Sequence, residues 1–158
     1  MRLYDKQKAF EIKKFTKDLL AYHKPFYSDG NFVFNEKYLK GAINTPAGDH
    51  WRFINKTFYD TSIPDLPKIV ADLTNEDNKL IPCYMEPALR GIGDFSLICQ
   101  IFSYEIEDLE YTKLINVDYL KYIDIKKCLF KTTAAPTSPI IIYDVNNLDF
   151  VGLIMPIR

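Results

Sequence analysis

Between Ala9 and Tyr22 the apolar side chains Ala9, Ile12, Phe15, Leu19 and Tyr22 recur at three- and four-residue spacing, the pattern of one helix face, with lysines on the other faces. Asp5 stands where a helix cap is needed, and His23-Lys24-Pro25 ends the run. Tyr27-Ser28-Asp29-Gly30 reads as a turn, Asn31 to Phe34 as a short strand, and Asn35 as the cap of a second helix through about Ile43. Pro46, Pro64 and Pro67 then punctuate residues 44–79, where Trp51 to Tyr59 fits a strand or a short helix and Leu66 to Leu73 a helical turn. From Leu80 onward β-branched and aromatic residues thicken. Strands are predicted at Leu80 to Met85, Ser96 to Ile106, Leu109 to Leu114, Cys128 to Thr132, Pro139 to Asp144 and Phe150 to Pro156. A third helix, capped by Asn116, is predicted from Val117 to about Ile123.

Two of these segments echo each other. Phe34-Asn35-Glu36-Lys37-Tyr38-Leu39-Lys40 and Ile115-Asn116-Val117-Asp118-Tyr119-Leu120-Lys121 each read as an apolar strand end, an Asn cap, two variable residues and Tyr-Leu-Lys. A repeat of this kind implies two copies of one β-α-β unit. The expected fold is therefore α+β: an antiparallel sheet with the helices at 35–43 and 116–123 side by side on one face.

Composition narrows the class. The chain has 158 residues, 47% hydrophobic and 26% charged, which fits one globular domain and excludes disordered or low-complexity chains. Its 15% aromatic content suits strand packing or interface surface. Cys83, Cys99 and Cys128 are too far apart for a C-x-x-C motif and odd in number, so free thiols in a reducing cytoplasm are expected. The first 22 residues are too rich in lysine for a signal peptide, and no apolar run approaches the roughly 20 residues needed to span a bilayer. The expectation is a cytoplasmic, membrane-free protein.

Catalytic chemistry finds little support in the inventory. His23 and His50 have no metal-ligand partner at helical or loop spacing. Gly91-Ile92-Gly93 lacks the third glycine and following helix of a phosphate loop. Glu105 and Glu107, at i and i+2 of a predicted strand, with Asp108 and Glu110 beside them, read as a solvated acidic edge that blocks strand addition. No nucleophile and base fall into a usable arrangement, so the expectation is a non-enzyme with no cofactor and no metal.

Charge is segregated although the net value is only −1. Residues 1–27 carry seven Lys and Arg against three acids, residues 57–112 carry eleven acids against three bases, and residues 113–131 carry five lysines against two acids. A basic surface apart from an acidic one can hold a polyanion on one side while the other keeps copies apart.

Residues 115–158 resemble the last part of the third domain of the bacterial β sliding clamp, the processivity ring of the replicative DNA polymerase. The resemblance rests on Ile115-Asn116-Val117-Asp118-Tyr119-Leu120, on Lys127-Cys128-Leu129-Phe130, on Ser138-Pro139-Ile140-Ile141-Ile142 and on the closing Leu153-Ile154-Met155-Pro156-Ile157-Arg158. Pro87-Ala88-Leu89-Arg90-Gly91-Ile92 also looks like a strand common in clamp domains. The resemblance implies a single clamp-like domain at 28–158, with an insert at 44–79 and a basic helical extension at 1–27. A clamp ring contains six such domains and this chain has room for one, so a ring would need a homo-oligomer. It further implies a non-catalytic replication accessory in which Lys37, Lys40 and Lys121 touch the backbone of double-stranded DNA without reading sequence. A cleft at Leu153, Met155, Pro156, Ile157 and Arg158 would take an apolar peptide from a polymerase or another replication protein. The alternative is a structural or assembly protein of a phage particle.

Overall fold

The computed structural model describes residues 19–40, 48–54, 57–59, 61–93 and 97–157. The predicted helix over residues 5–18 lies outside them. Two compact units divide the chain, residues 1–73 and 74–158. Both are built mainly from antiparallel sheet with few helices.

In the first unit the strands are β1 (Leu19–His23), β2 (Phe26–Ser28), β3 (Phe32–Asn35), β4 (His50–Ile54) and β5 (Thr57–Tyr59), in the order β5-β4-β1-β2-β3. Leu19–His23 is thus a strand and not the end of a helix. Its register with β4 sets Tyr22 opposite Trp51, and its register with β2 sets Tyr22 opposite Tyr27. The three rings pack together, Tyr22 stacked on Trp51 at 5.3 Å and Tyr27 edge-on to Trp51 at 5.9 Å, and Phe58 closes on Trp51 at 4.8 Å. These cross-strand aromatic contacts stabilise the sheet beyond area burial alone. They outweigh the local helical spacing. Helix α1 (Leu66–Leu73) packs against β1 and β2 and buries Leu66 and Val70. The stretch read as an insert therefore supplies β4, β5 and α1 to this unit, and residues 19–27 supply integral strands.

In the second unit the strands are β6 (Ile81–Ile92), β7 (Leu97–Ile106), β8 (Leu109–Asn116), β9 (Cys128–Thr132), β10 (Ile140–Asp144) and β11 (Phe150–Ile154). Their order is β11-β10-β9-β6-β7-β8. Ile140, Ile142 and Ile154 are fully buried, as are Cys99, Phe102 and Ile115. The β6–β7 register shifts by two residues between Met85 and Leu89, where Pro87 cannot donate to the ladder. The side chain of Gln100 fills that gap by donating to the Glu86 carbonyl at 2.6 Å.

The helices predicted at 35–43 and 116–123 are short 3-10 turns, Glu36–Tyr38 and Val117–Tyr122. Both Asn caps are where the sequence places them: Asn35 accepts from the Lys37 amide and Asn116 from the Asp118 amide. Helix growth fails beyond the cap. Leu39 and Ile123 are already extended, and Val117, Tyr119, Tyr122 and Ile123 are poor helix formers in a segment too short to nucleate a helix. Over the described residues 35–40 and 116–123 the expected pair of α-helices is absent; residues 41–43 of the first lie outside the described residues.

Glu105 and Glu107 do not share a strand face. Glu107 and Asp108 form the two-residue β7–β8 turn, both at positive φ (51° and 67°), and Glu105 stands opposite Glu110.

Candidate functional site

Lys37 stands in the 3-10 turn after β3, Lys40 just past its end, and Lys121 in the 3-10 turn after β8. All three are exposed. The first two belong to the first unit and the third to the second. The ammonium of Lys37 lies 5.4 Å from the Tyr38 ring and that of Lys121 5.4 Å from the Tyr122 ring. Each turn thus sets a lysine ammonium beside an aromatic neighbour.

The closing strand is partly core. Leu153, opposite Ile141, is buried in β11. Met155, Pro156 and Ile157 follow it, each partly exposed, and Arg158 lies outside the described residues. The Ile157 amide donates to the Leu114 carbonyl of β8 at 2.7 Å, so the tail is tied to the last strand of the order. One such bond contributes about 1 kcal/mol. Truncation after Ile154 is expected to lower the melting temperature by only a few degrees; circular dichroism melting checks this, and loss of the transition would show that the tail is essential to the fold.

Lys113, next to Leu114 on β8, went unnoticed in the sequence and is the most constrained charge among the described residues. It is 4% exposed. Its Nζ donates to Thr132 Oγ1 at 2.6 Å, Ser138 Oγ at 2.8 Å, the Thr133 carbonyl at 3.1 Å and the Ser138 carbonyl at 3.2 Å, and it lies 5.2 Å from the Tyr104 ring. The surrounding hydroxyls are satisfied in turn: Thr132 donates to the Pro139 carbonyl, Thr133 to Ser138 Oγ, and Ser138 to the Ala135 carbonyl. No carboxylate joins this cage, so desolvation dominates and lowers the Lys113 pKa to about 8. The alternation Leu109, Tyr111, Lys113, Ile115 puts a lysine on the strand face that carries the buried Ile115, and that was the available signal. Lys113 ties β8 to the β9–β10 connection just before the point where the tail docks.

The three cysteines are free, and burial pushes their thiols up, Cys83 to about 12 and Cys128 to about 11. They are poor nucleophiles in that state. His23 and His50 pair edge-on at 6.3 Å, with His23 Nδ1 3.8 Å from the Asp65 carboxylate. Among the described residues no three His, Cys, Asp or Glu side chains converge to hold a metal ion, and no helix is long and apolar enough to cross a membrane. Compared with protein-family models, curated proteins and solved structures, the chain matches none of them.

Proposed function

We propose that the protein is a non-catalytic accessory of DNA replication, a clamp-like module that binds duplex DNA through its backbone and docks an apolar peptide beside its carboxyl-terminal tail. The observation that carries this reading is the run from β8 to the tail. An Asn-capped turn, the antiparallel meander β9-β10-β11 and a partly exposed Met-Pro-Ile follow one another in the order that the sliding-clamp resemblance implies. The lysines presented at Lys37, Lys40 and Lys121 suit phosphate contact, which is independent of base sequence and weakens with salt.

Reversing the three lysines to Glu is expected to weaken duplex binding uniformly across sequences and to flatten its dependence on salt, by about three phosphate contacts' worth of slope. Fluorescence anisotropy with two unrelated duplexes from low to moderate salt measures both. Binding identical to the parent, or a parent with no salt-dependent binding, contradicts the DNA assignment.

A second reading, a structural or assembly protein of a phage particle, is favoured by a different observation. Tyr84 and Leu89 on β6 and Leu109 and Tyr111 on β8 are large apolar side chains left exposed. Exposed aromatic and large aliphatic side chains are what protein contact surfaces use. Under this reading the chain self-associates or joins other proteins with no response to DNA.

A further inference from the structure

A cleft of about 370 Å³ lies within the second unit, bordered by Glu76, Lys79, Leu80, Lys131, Tyr143 and Leu148. Its volume is at the lower end of small-ligand pockets. Two cations border it, Lys79 from the short segment before β6 and Lys131 from β9, and neither pairs with a carboxylate among the described residues. The Lys131 ammonium rests 5.4 Å from the Tyr143 ring. Burial raises the Tyr143 pKa, so this phenol keeps its proton, and its hydroxyl makes no hydrogen bond within the described residues. That leaves one neutral donor and two ammonium groups bordering the same space.

The backbone supports the cleft at a local cost. Four non-glycine residues among those described have positive φ, and two of them, Lys79 (52°) and Leu148 (61°), border this cleft. An exposed leucine in the left-handed region is sterically disfavoured and persists only where the surrounding turn fixes it. Asp144 supplies that constraint: its carboxylate accepts from the Asn146 and Asn147 amides, and its carbonyl from the Leu148 amide. Leu148 and Leu80 thus form an apolar rim beside the lysines.

We infer that this cleft binds a phosphate monoester, its doubly charged group held by Lys79, Lys131 and the Tyr143 hydroxyl and its ester substituent resting between Leu80 and Leu148. Glu76 is the one carboxylate on the rim and opposes the anion. The phosphate monoester can come from a free small ester or from the terminal phosphate of a nucleic-acid strand. The site does not depend on the clamp-like reading, since it uses none of the residues assigned to it.

The test titrates the full-length chain with phenyl phosphate, following amide shifts by nuclear magnetic resonance, with phenol and inorganic phosphate in parallel. Saturable binding of phenyl phosphate is expected, tighter than that of inorganic phosphate, with no saturation by phenol. Lys79→Gln and Lys131→Gln are each expected to weaken it at least fivefold, Tyr143→Phe about threefold, and Glu76→Gln to tighten it about twofold; Lys126→Gln, away from the cleft, leaves it unchanged. Competition by a short 5′-phosphorylated duplex, and not by the same duplex without its terminal phosphate, identifies a nucleic-acid end, and absence of competition by either a free ester, both with the cleft occupied. Absence of saturation, or binding indifferent to both lysine substitutions in variants that keep the parent spectrum, overturns the inference.

Discussion

Trp51→Ala is expected to destabilise the first unit by about 3–5 kcal/mol, enough to unfold a domain of ordinary stability. Trp51 has no exposed surface, and it joins Tyr22, Tyr27 and Phe58 across three strands, so its removal leaves a cavity that these rings cannot fill without losing their cross-strand geometry. Trp51→Phe should cost far less, under about 1.5 kcal/mol. The indole nitrogen is buried with no hydrogen-bond partner among the described residues, and losing that donor offsets part of the lost packing. Urea denaturation followed by circular dichroism compares the two variants. Equal losses would mean that a smaller ring does not preserve the packing, and would contradict this account.

The second large effect is a pH dependence centred on Lys113. In the unfolded chain this lysine titrates near 10.5, and in the folded protein near 8. Between those values the unfolded chain holds a proton that the folded one has released. Stability therefore rises with pH across the window, by up to about 3 kcal/mol in total. The buried thiols act oppositely. Cys83 and Cys128 keep their protons to about 12 and about 11 when folded, so unfolding is favoured as pH climbs above 9. The wild type is therefore read against Lys113→Met, in which the Cys128 contribution cancels and the Cys83 thiol, no longer pulled down by the ammonium, moves further up and away from the window compared. The expected result is that the wild type gains stability relative to the Met variant between pH 8 and 10.5. Parallel pH profiles would show that the four oxygens around the ammonium fully compensate its burial. Lys113→Ala should be less stable than Lys113→Met at every pH, because it adds a cavity to the missing donors.

Strands β7 to β11 were legible because their signals are local: β-branched runs bounded by turn residues, with Cys128–Thr132 recovered to the residue; β6 was legible only as far as Met85, where Pro87 and the register shift interrupt its pattern. The Asn35 and Asn116 caps were legible for the same reason, since a side chain bonding its own backbone two residues on needs no tertiary partner. What those caps start was not legible. An Asx cap begins a 3-10 turn as readily as an α-helix, and the next turn is decided by packing. Leu19–His23 failed for a different reason. Its partner β4 lies about thirty residues away, and Leu20, Ala21 and Tyr22 are buried in succession, which erases the alternation that marks a half-buried strand. Lys113 shows the limit of charge counting: the total for residues 113–131 does not reveal that one of its lysines is buried on a strand face and the others lie at or near the surface.

The mass of the protein in solution, measured by multi-angle light scattering with and without a linear duplex, tests the replication-accessory reading most directly. Association with duplex DNA is expected, seen as a protein–DNA species heavier than one chain plus one duplex when several copies load, and dispersed by salt. Protein that elutes at the mass of a single chain, unchanged by duplex at low salt, contradicts it.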